Sequence, residues 1–376
     1  MQTVKLSETR NIVIIIAIVF ISAMLLYWPY LLRTSPFGLD LHTPDMNVIY
    51  SNYDGPLYII PAKTLYNPAA IEKIGLETPL PTKYFAAHFP LYPALIRLFS
   101  FVGYLKSMIL VSFLGSVLLG IGFYYVVKKL SLSQSPLLLT TVMLFLPRLL
   151  VVRAVGAPET FFMLFIILSL YFFEQKKYAL AGILGALATM TKAPGVLLFI
   201  VYVLAIGEQY MKSRKVRWQW LYVLLIPVGL LSVFGLYSLQ YHDFFAFWHT
   251  GGVVPLVYPF AAFNFQKQWI GTGWLEDVVF YFYLYILSAV TLRDSKYRSF
   301  FYFSVVFLVA TSFVQHRDIA RYALPLWPVA CIAFEKFLVS RKYFWALVIA
   351  LPAIYLYAWN FLSYNTMPIS NWAPFL

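Results

Sequence analysis

The sequence contains few charged residues and almost no cysteine. Only 11% of its 376 residues are charged, whereas soluble domains have about 25%, and 61% are hydrophobic. Cys331 is the single cysteine, which excludes an internal disulfide framework and any metal cluster held by several cysteines. The sequence has no Asn-x-Ser/Thr sequon, and this favours a prokaryotic source over the eukaryotic secretory pathway.

Apolar segments long enough to cross a bilayer recur along the whole sequence and predict an all-α, polytopic membrane protein. The first segment is not followed by a small-residue cleavage site, so it is predicted to be a retained span and not a signal peptide. Proline and polar clusters divide the chain into about eleven spans, predicted at residues 11–32, 104–127, 136–152, 160–173, 178–191, 194–210, 219–239, 276–292, 299–314, 322–339 and 344–362.

Positive charge alternates between the loops of this predicted topology. The side that holds the N-terminus carries 16 of the 28 Lys and Arg residues but only 5 of the 15 Asp and Glu residues. By the positive-inside rule that side is cytoplasmic, and the C-terminus is outside. The net charge of +13 is therefore mostly a consequence of topology and does not indicate nucleic-acid binding. Chemistry on the acidic outer side needs a lipid-borne or otherwise exported substrate, because ATP and nucleotide sugars are absent there.

We expect one membrane domain over residues 1–376, with no separate soluble domain. Its first extracytoplasmic loop, residues 33–103, is predicted to form two juxtamembrane helices on the outer leaflet, with Asp54 at the start of the first. The second long outer loop, residues 240–275, is rich in aromatic residues. Helices on the membrane surface beside a carboxylate suit a substrate that stays in the bilayer.

Five stretches in order along the chain resemble the multi-span mannosyltransferases related to GPI mannosyltransferase II. They are NYDGPLYIIPAKTLY (52–66), HFPLYPALIRLFS (88–100), APETFF (157–162), GALATMTKAPGVLL (185–198) and RYALPLWP (321–328). The resemblance implies the GT-C glycosyltransferase fold and a polyprenyl-phosphate-linked sugar donor on the outer face. Tyr53 replaces the family's Trp, Leu65 its Gly and Lys192 its Arg, which leaves the sugar and the acceptor open.

Asp54 is the predicted catalytic residue. In this reaction an acceptor hydroxyl attacks the anomeric carbon and a lipid phosphate leaves, so one base is enough and supplies typically ~10²–10⁴-fold. A glycosidase, by contrast, needs two carboxylates at a defined separation. The alternative is that Asp54, which precedes Gly-Pro, only caps a helix. Asp40 and Asp45 are the backup carboxylates, and their alternative is turn or cap formation.

Cations near the outer ends of the spans are predicted to bind the donor phosphate, because Arg and Lys at membrane depth indicate function. The candidates are Arg148, Arg153, Lys192, Arg317 and Arg321. We place Arg321 first and Lys192 next, with Arg317 and Arg153 completing the predicted set. Alternatively, Arg321 pairs with Asp318 one helical turn earlier, and Arg317 and Arg153 extend to lipid headgroups.

The remaining substrate-binding candidates are Tyr58, His88 and Glu159. Outer aromatic rings such as that of Tyr58 can stack on sugars, although they also form ordinary interfacial belts. Glu159 opens a span, where a cap is favoured over binding of an acceptor or a metal. The histidines lack metal-ligand spacing, so we predict no metal site, although outer carboxylates could hold Mg²⁺ or Mn²⁺.

Taken together, the sequence predicts an inverting membrane glycosyltransferase that transfers a hexose, mannose by resemblance. The acceptor is a glycolipid, a protein or a polymer. The main alternative is a transporter or flippase of lipid-linked sugars, which would present acidic residues at mid-span and paired broken helices. A noncatalytic scaffold subunit is the third interpretation.

Overall fold

The computed structural model describes residues 2–41, 44–77, 80–254, 256–263, 275–316 and 318–376, and the fold is all-helical. Within those residues the only β-type pairings are two isolated bridges. The α-helices described are α1 (Gln2–Leu32), α2 (Met46–Tyr50), α3 (Gly55–Thr64), α4 (Pro68–Ile74), α5 (Leu91–Leu98), α6 (Tyr104–Lys129), α7 (Pro136–Leu144), α8 (Pro147–Val152), α9 (Glu159–Glu174), α10 (Tyr178–Thr191), α11 (Leu197–Ser213), α12 (Leu225–Tyr241), α13 (Leu275–Leu292), α14 (Arg298–Ser312), α15 (Ile319–Tyr322), α16 (Trp327–Ala333), α17 (Glu335–Leu338) and α18 (Arg341–Tyr364).

Apolar helices confirm an integral, multi-pass membrane protein. In the described part of the chain, five helical segments are long and apolar enough to cross a bilayer, namely Ser7–Leu32, Tyr104–Lys129, Ala193–Ser213, Trp218–Tyr241 and Arg341–Tyr364. Two of the predicted spans are interrupted. Residues 136–152 form α7 and α8, because Pro147 lacks an N–H and holds Leu146 in an extended conformation. Residues 322–339 divide among short helices around Pro325 and Pro328.

The first outer loop is more elaborate than the two surface helices expected. It holds α2, α3, α4 and α5 among the described residues, and α3 begins directly after Asp54, as predicted. All residues of α3 except Lys63 are buried, so this helix is an interior element and does not lie on the leaflet. In α5, Tyr92 and Ile96 are buried while Leu98 is exposed, which suits a helix at the membrane surface.

Close helix contacts at glycine position the loop and the bundle. A Cβ on Gly156 would lie 2.9 Å from the Cα of Gly55, so the start of α3 packs directly against the chain that leads into α9. Gly182 in α10 is a second close contact, because a Cβ there would overlap the carbonyl oxygen of Tyr222. These contacts require glycine because any side chain would push the two backbones apart.

The chain after α18 returns to the first outer loop. The amide of Met367 donates to the carbonyl of Ser51 (2.8 Å), and the amide of Tyr53 donates to the carbonyl of Asn365 (3.3 Å). Asn52 is fully buried, and its Nδ2 donates to the carbonyls of Val48 (2.7 Å) and Leu362 (2.9 Å). The residues immediately before Asp54 are thereby fixed to the end of α18.

Candidate active site

Asp54 occupies the N-cap position of α3, but its side chain does not cap the helix. Its backbone carbonyl accepts hydrogen bonds from the amides of Leu57 (2.9 Å) and Tyr58 (3.3 Å). The carboxylate makes no capping hydrogen bond. It is exposed and forms no ion pair with a described residue. The cap interpretation therefore accounts for the backbone of Asp54 and leaves its carboxylate available for chemistry.

Tyr53 links the Asp54 turn to two guanidinium groups. Its backbone has a φ of 51°, a left-handed conformation that is uncommon for an aromatic residue. Its hydroxyl accepts a hydrogen bond from Arg148 Nη1 (3.0 Å), and the guanidinium carbon of Arg321 lies 4.0 Å from the ring centroid. This cation–π contact places Arg321 beside the turn that carries Asp54.

The buried Glu159 contacts both Arg321 and Lys192, the two leading candidates for binding the donor phosphate. The residue is 1% exposed. Its Oε1 atom accepts hydrogen bonds from Arg321 Nε (2.7 Å) and Lys192 Nζ (2.9 Å). Glu159 is the first residue of α9, and Pro158 occupies the cap position without a side-chain cap bond. The expected capping role is therefore wrong: Glu159 pairs with and orients two cations from separate parts of the chain.

Arg321 is directed toward Glu159 and not toward Asp318. The Asp318 side chain instead caps α15 by accepting from the backbone amide of Arg321 (3.2 Å), and it pairs with Arg148 Nη2 (3.3 Å). Arg321 donates to Glu159 through Nε, and its two Nη atoms make no hydrogen bond to a described residue. The two Nη atoms of a guanidinium can bind two oxygens of one phosphate at the same time.

His88 and Tyr58 form an aromatic floor beside Asp54. Their ring centroids lie 4.7 Å apart at nearly right angles. Burial lowers the pKa of His88 to about 4, while the charge of Asp54 opposes this shift and that of Arg321 adds to it. His88 is therefore neutral near pH 7. Burial, followed by the charge of Asp54, raises the pKa of Tyr84.

The other predicted residues lie outside this cluster. Asp45 caps α2 by accepting from the amide of Asn47 (2.8 Å), which matches its alternative interpretation, and Asp40 is exposed in the preceding loop. Arg153 is buried and directed toward α1, where its Nη2 donates to Ser22 Oγ (2.6 Å). Arg317 lies outside the described residues.

Arg148 lies in this cluster, although the predicted phosphate-binding set left it out of the five candidate cations. It lies 9% exposed between Tyr53, Asp318 and the ring of Phe361, whose centroid is 4.1 Å from its guanidinium carbon. Arg148 lies in α8 and Arg153 directly follows it, so both are near the end of a predicted span and the sequence does not distinguish them. In the structure they lie on different faces of the helix: Arg148 contacts Tyr53, and Arg153 contacts α1.

Asp243 joins the two loops that the sequence predicts on the outer side, residues 33–103 and 240–275. Its Oδ2 accepts from Lys83 Nζ (2.8 Å) in the first loop and contacts His249 Nδ1 (2.8 Å) in the second. The hydrogen bond from Lys83, followed by that from His249, lowers the pKa of Asp243 to about 2. Much of the second loop, residues 264–274, lies outside the described residues. Among the residues described, no group of three or more His, Cys, Asp or Glu side chains is placed to hold a metal.

Comparison with known proteins identifies the fold. No family model and no curated protein sequence matches the chain. ArnT from Cupriavidus metallidurans, solved with bound undecaprenyl phosphate, aligns with a TM-score of 0.59 at 12% identity over 91% of this chain and 63% of its own. The oligosaccharyltransferase AglB from Archaeoglobus fulgidus, in complex with an inhibitory peptide and a dolichol-phosphate, aligns with a TM-score of 0.53 at 14% identity over 95% of this chain and 57% of its own.

This chain therefore spans less than two thirds of the length of either protein. At these identities the likeness concerns the fold. The helices of this chain are arranged as in ArnT and AglB, while the narrower likeness to the GPI mannosyltransferase II group has no support from the comparisons.

Proposed function

We propose that this protein is an inverting membrane glycosyltransferase. It transfers a hexose, mannose in our proposal, from a polyprenyl-phosphate-linked donor to a glycolipid, protein or polymer acceptor on the extracytoplasmic face. The observation that carries the proposal is the exposed Asp54 carboxylate, free of described partners, on the turn whose Tyr53 ring contacts the Arg321 guanidinium. The undecaprenyl phosphate and dolichol-phosphate of the two similar structures support a donor of this class.

In the proposed reaction, the acceptor oxygen attacks the anomeric carbon from the face opposite the phosphate. The new bond joins the acceptor oxygen to the anomeric carbon, and the bond from that carbon to the phosphate oxygen breaks. Asp54 takes the acceptor proton, and the leaving phosphate gains one negative charge. Negative charge thus moves from Asp54 to the phosphate, next to Arg321 and Lys192, and fixed cations stabilise charge that develops in the transition state.

Each neighbouring residue has a separate role in this proposal. Arg321 and Lys192 hold the donor phosphate, and Glu159 keeps them in position. Tyr58 and His88 line the sugar side, where a neutral imidazole can exchange hydrogen bonds with hydroxyl groups. We assign no direct role to Arg153, because it is directed toward α1. Outer carboxylates would be the ligands of a divalent cation, Mg²⁺ or Mn²⁺, if the reaction uses one. Adding EDTA to the transfer assay tests whether it does.

The proposed arrangement in the bilayer follows from the charge distribution. About eleven membrane segments, several of them short or broken, would place the N-terminus in the cytoplasm of a prokaryotic cell and the C-terminus outside. Residues 1–376 form one domain in this proposal. The loops 33–103 and 240–275 would cover the outer face, and the donor lipid would enter laterally between helices.

A transporter or flippase of lipid-linked sugars is the alternative function. It would expose its binding site alternately to both sides of the membrane, whereas the enzyme needs access for the acceptor from outside only. Asp54 lies at the start of a loop helix, and the ion pair of Lys83 with Asp243 ties that loop to residues 240–275, which favours the enzyme.

The decisive experiment measures transfer of labelled mannose from polyprenyl-phosphate-mannose in membranes that contain this protein. We expect Asp54→Asn to lower the rate about 10²–10⁴-fold, because the variant lacks the base. Asp45→Asn, at the carboxylate that caps α2, is the matched control and should retain most of the activity. Equal rates for the wild type and folded Asp54→Asn would remove Asp54 as the base. An inactive wild type would exclude this donor sugar.

A further inference from the structure

The two predicted phosphate-binding cations share one buried carboxylate oxygen. Arg321 and Lys192 both donate to Oε1 of Glu159, at 2.7 and 2.9 Å, and Oε2 is buried without a hydrogen-bond partner among the described residues. Glu159 is 1% exposed, so water screens its charge little. The carboxylate therefore subtracts one unit from the charge that a ligand meets.

The neighbouring cation adds nothing to this balance. Arg148 is paired with Asp318 (3.3 Å), and that pair is neutral as a whole. The group of Arg321, Lys192 and Glu159 thus presents one net positive charge to the donor. A sugar joined to a lipid through a single phosphate is a phosphodiester and carries one negative charge. A sugar joined through a diphosphate carries two.

We infer that Glu159 is a specificity-determining residue that restricts the donor to a single phosphate. The inference rests on the proposed function and deepens it. Before the reaction, a monophosphate donor leaves the cluster neutral, whereas a diphosphate donor would bring one uncompensated negative charge beside the buried Glu159 carboxylate. Glu159 acts through the net charge of the cation pair and does not take part in bond making.

Binding of two unreactive lipids tests this inference in purified, lipid-reconstituted protein. The probes are polyprenyl methyl phosphate, with one negative charge, and polyprenyl methyl diphosphate, with two. We expect the wild type to bind the monophosphate at least about tenfold more tightly, as one buried charge interaction would produce. Glu159→Gln should reduce that preference about tenfold or more, because the cation pair would then carry two net charges.

Three further variants separate charge from folding. Glu159→Asp keeps the charge and should keep the preference. The double variant Glu159→Gln with Lys192→Gln restores one net charge and should restore the preference, even if the single Glu159→Gln variant is unstable. Glu174→Gln, the same change at the opposite end of α9, is the matched control and should bind both probes as the wild type does.

The outcomes distinguish this inference from the proposed function. An unchanged preference in Glu159→Gln, or an altered preference in the double variant, would overturn the role of Glu159 while leaving the transferase proposal intact. Failure of the wild type to bind either probe, together with an absence of mannose transfer, would overturn both.

Discussion

At the scale of single residues, the site depends on which polar groups have partners and which do not. Glu159 and Asp318 are each committed to cations, whereas the Asp54 carboxylate has no described partner. His88 is the opposite case, since it is 4% exposed and its Nδ1 has no hydrogen-bond partner among the described residues. Because burial is the main cause of its lowered pKa, protonation of His88 opposes the folded state.

The first prediction at this scale concerns stability in acid. The folded-state pKa of His88 is about 4 and its ordinary value is 6.5, so between these values the unfolded chain binds the proton and the folded chain does not. The contribution of the neutral His88 side chain to the free energy of unfolding should therefore be fully present above about pH 6.5. It should be lost as the pH is lowered toward 4. His88→Asn should flatten that decline, as measured by the unfolding temperature in detergent across this pH range.

The control for this prediction is His242→Asn. His242 is exposed, and its left-handed φ of 53° suits asparagine. A decline that is equally flat in both variants, or unchanged in His88→Asn, would show that the buried imidazole does not cause the acid sensitivity.

At the scale of elements, the position of Asp54 follows from the contact between α3 and the chain before α9. Gly55 and Gly156 let the two backbones meet, so the carboxylate at 54 and the ion cluster at 159 lie on adjoining segments. The tail after α18 fixes the other side of the turn through Ser51 and Asn52. No single helix carries the site, because each one contributes only one or two of its groups.

We predict that Gly156→Ala damages both stability and transfer. Its Cβ would lie 2.9 Å from the Cα of Gly55 and would also overlap the side chain of Met108, so the backbones must separate. The expected cost is about 1–3 kcal/mol of stability. The transfer rate should fall as Asp54 moves away from Arg321, as measured by unfolding temperature and mannose transfer on the same preparation.

Gly207→Ala in α11 is the matched control, because nothing lies within 4 Å of the added Cβ. It should be neutral or slightly stabilising, since alanine favours a helix over glycine. If Gly156→Ala behaves like Gly207→Ala, the close approach of α3 does not position the Asp54 carboxylate.

At the scale of the whole molecule, the fold must place the site on one side of the membrane. The basic loops predict a cytoplasmic N-terminus, and the same topology puts Asp54 outside. Cys331 is completely buried, so the wild-type protein provides an unlabelled background for cysteine mapping.

We predict that Asp54→Cys reacts with a membrane-impermeant maleimide added from the extracytoplasmic side only. Ser213→Cys, at the exposed end of α11, should react only from the cytoplasmic side and serves as the opposite control. Labelling is measured on intact cells and on inverted vesicles. Reaction of Asp54→Cys from both sides would support the transporter, and reversed labelling of both sites would overturn the proposed orientation.

The sequence by itself determined the class of protein and pointed to several candidate site residues. Hydrophobic residues far outnumber charged ones, and they form long apolar segments that predict membrane-spanning helices. In a helix the backbone N–H and C=O groups form their hydrogen bonds within the segment, as lipid requires. The Asp-Gly-Pro order places the start of α3 at residue 55, and the scarcity of outer carboxylates and cations directs attention to Asp54, Arg321 and Lys192.

Tertiary structure alone decided how those residues are paired. Glu159 and Arg321 are 162 positions apart, and Arg148 and Tyr53 are 95 apart, so no local pattern could indicate their contacts. The sequence likewise could not separate Arg148 from Arg153, since only the helix face distinguishes them. Buried ion pairs form where long-range packing brings opposite charges together away from water, and packing of that kind is a property of the whole chain.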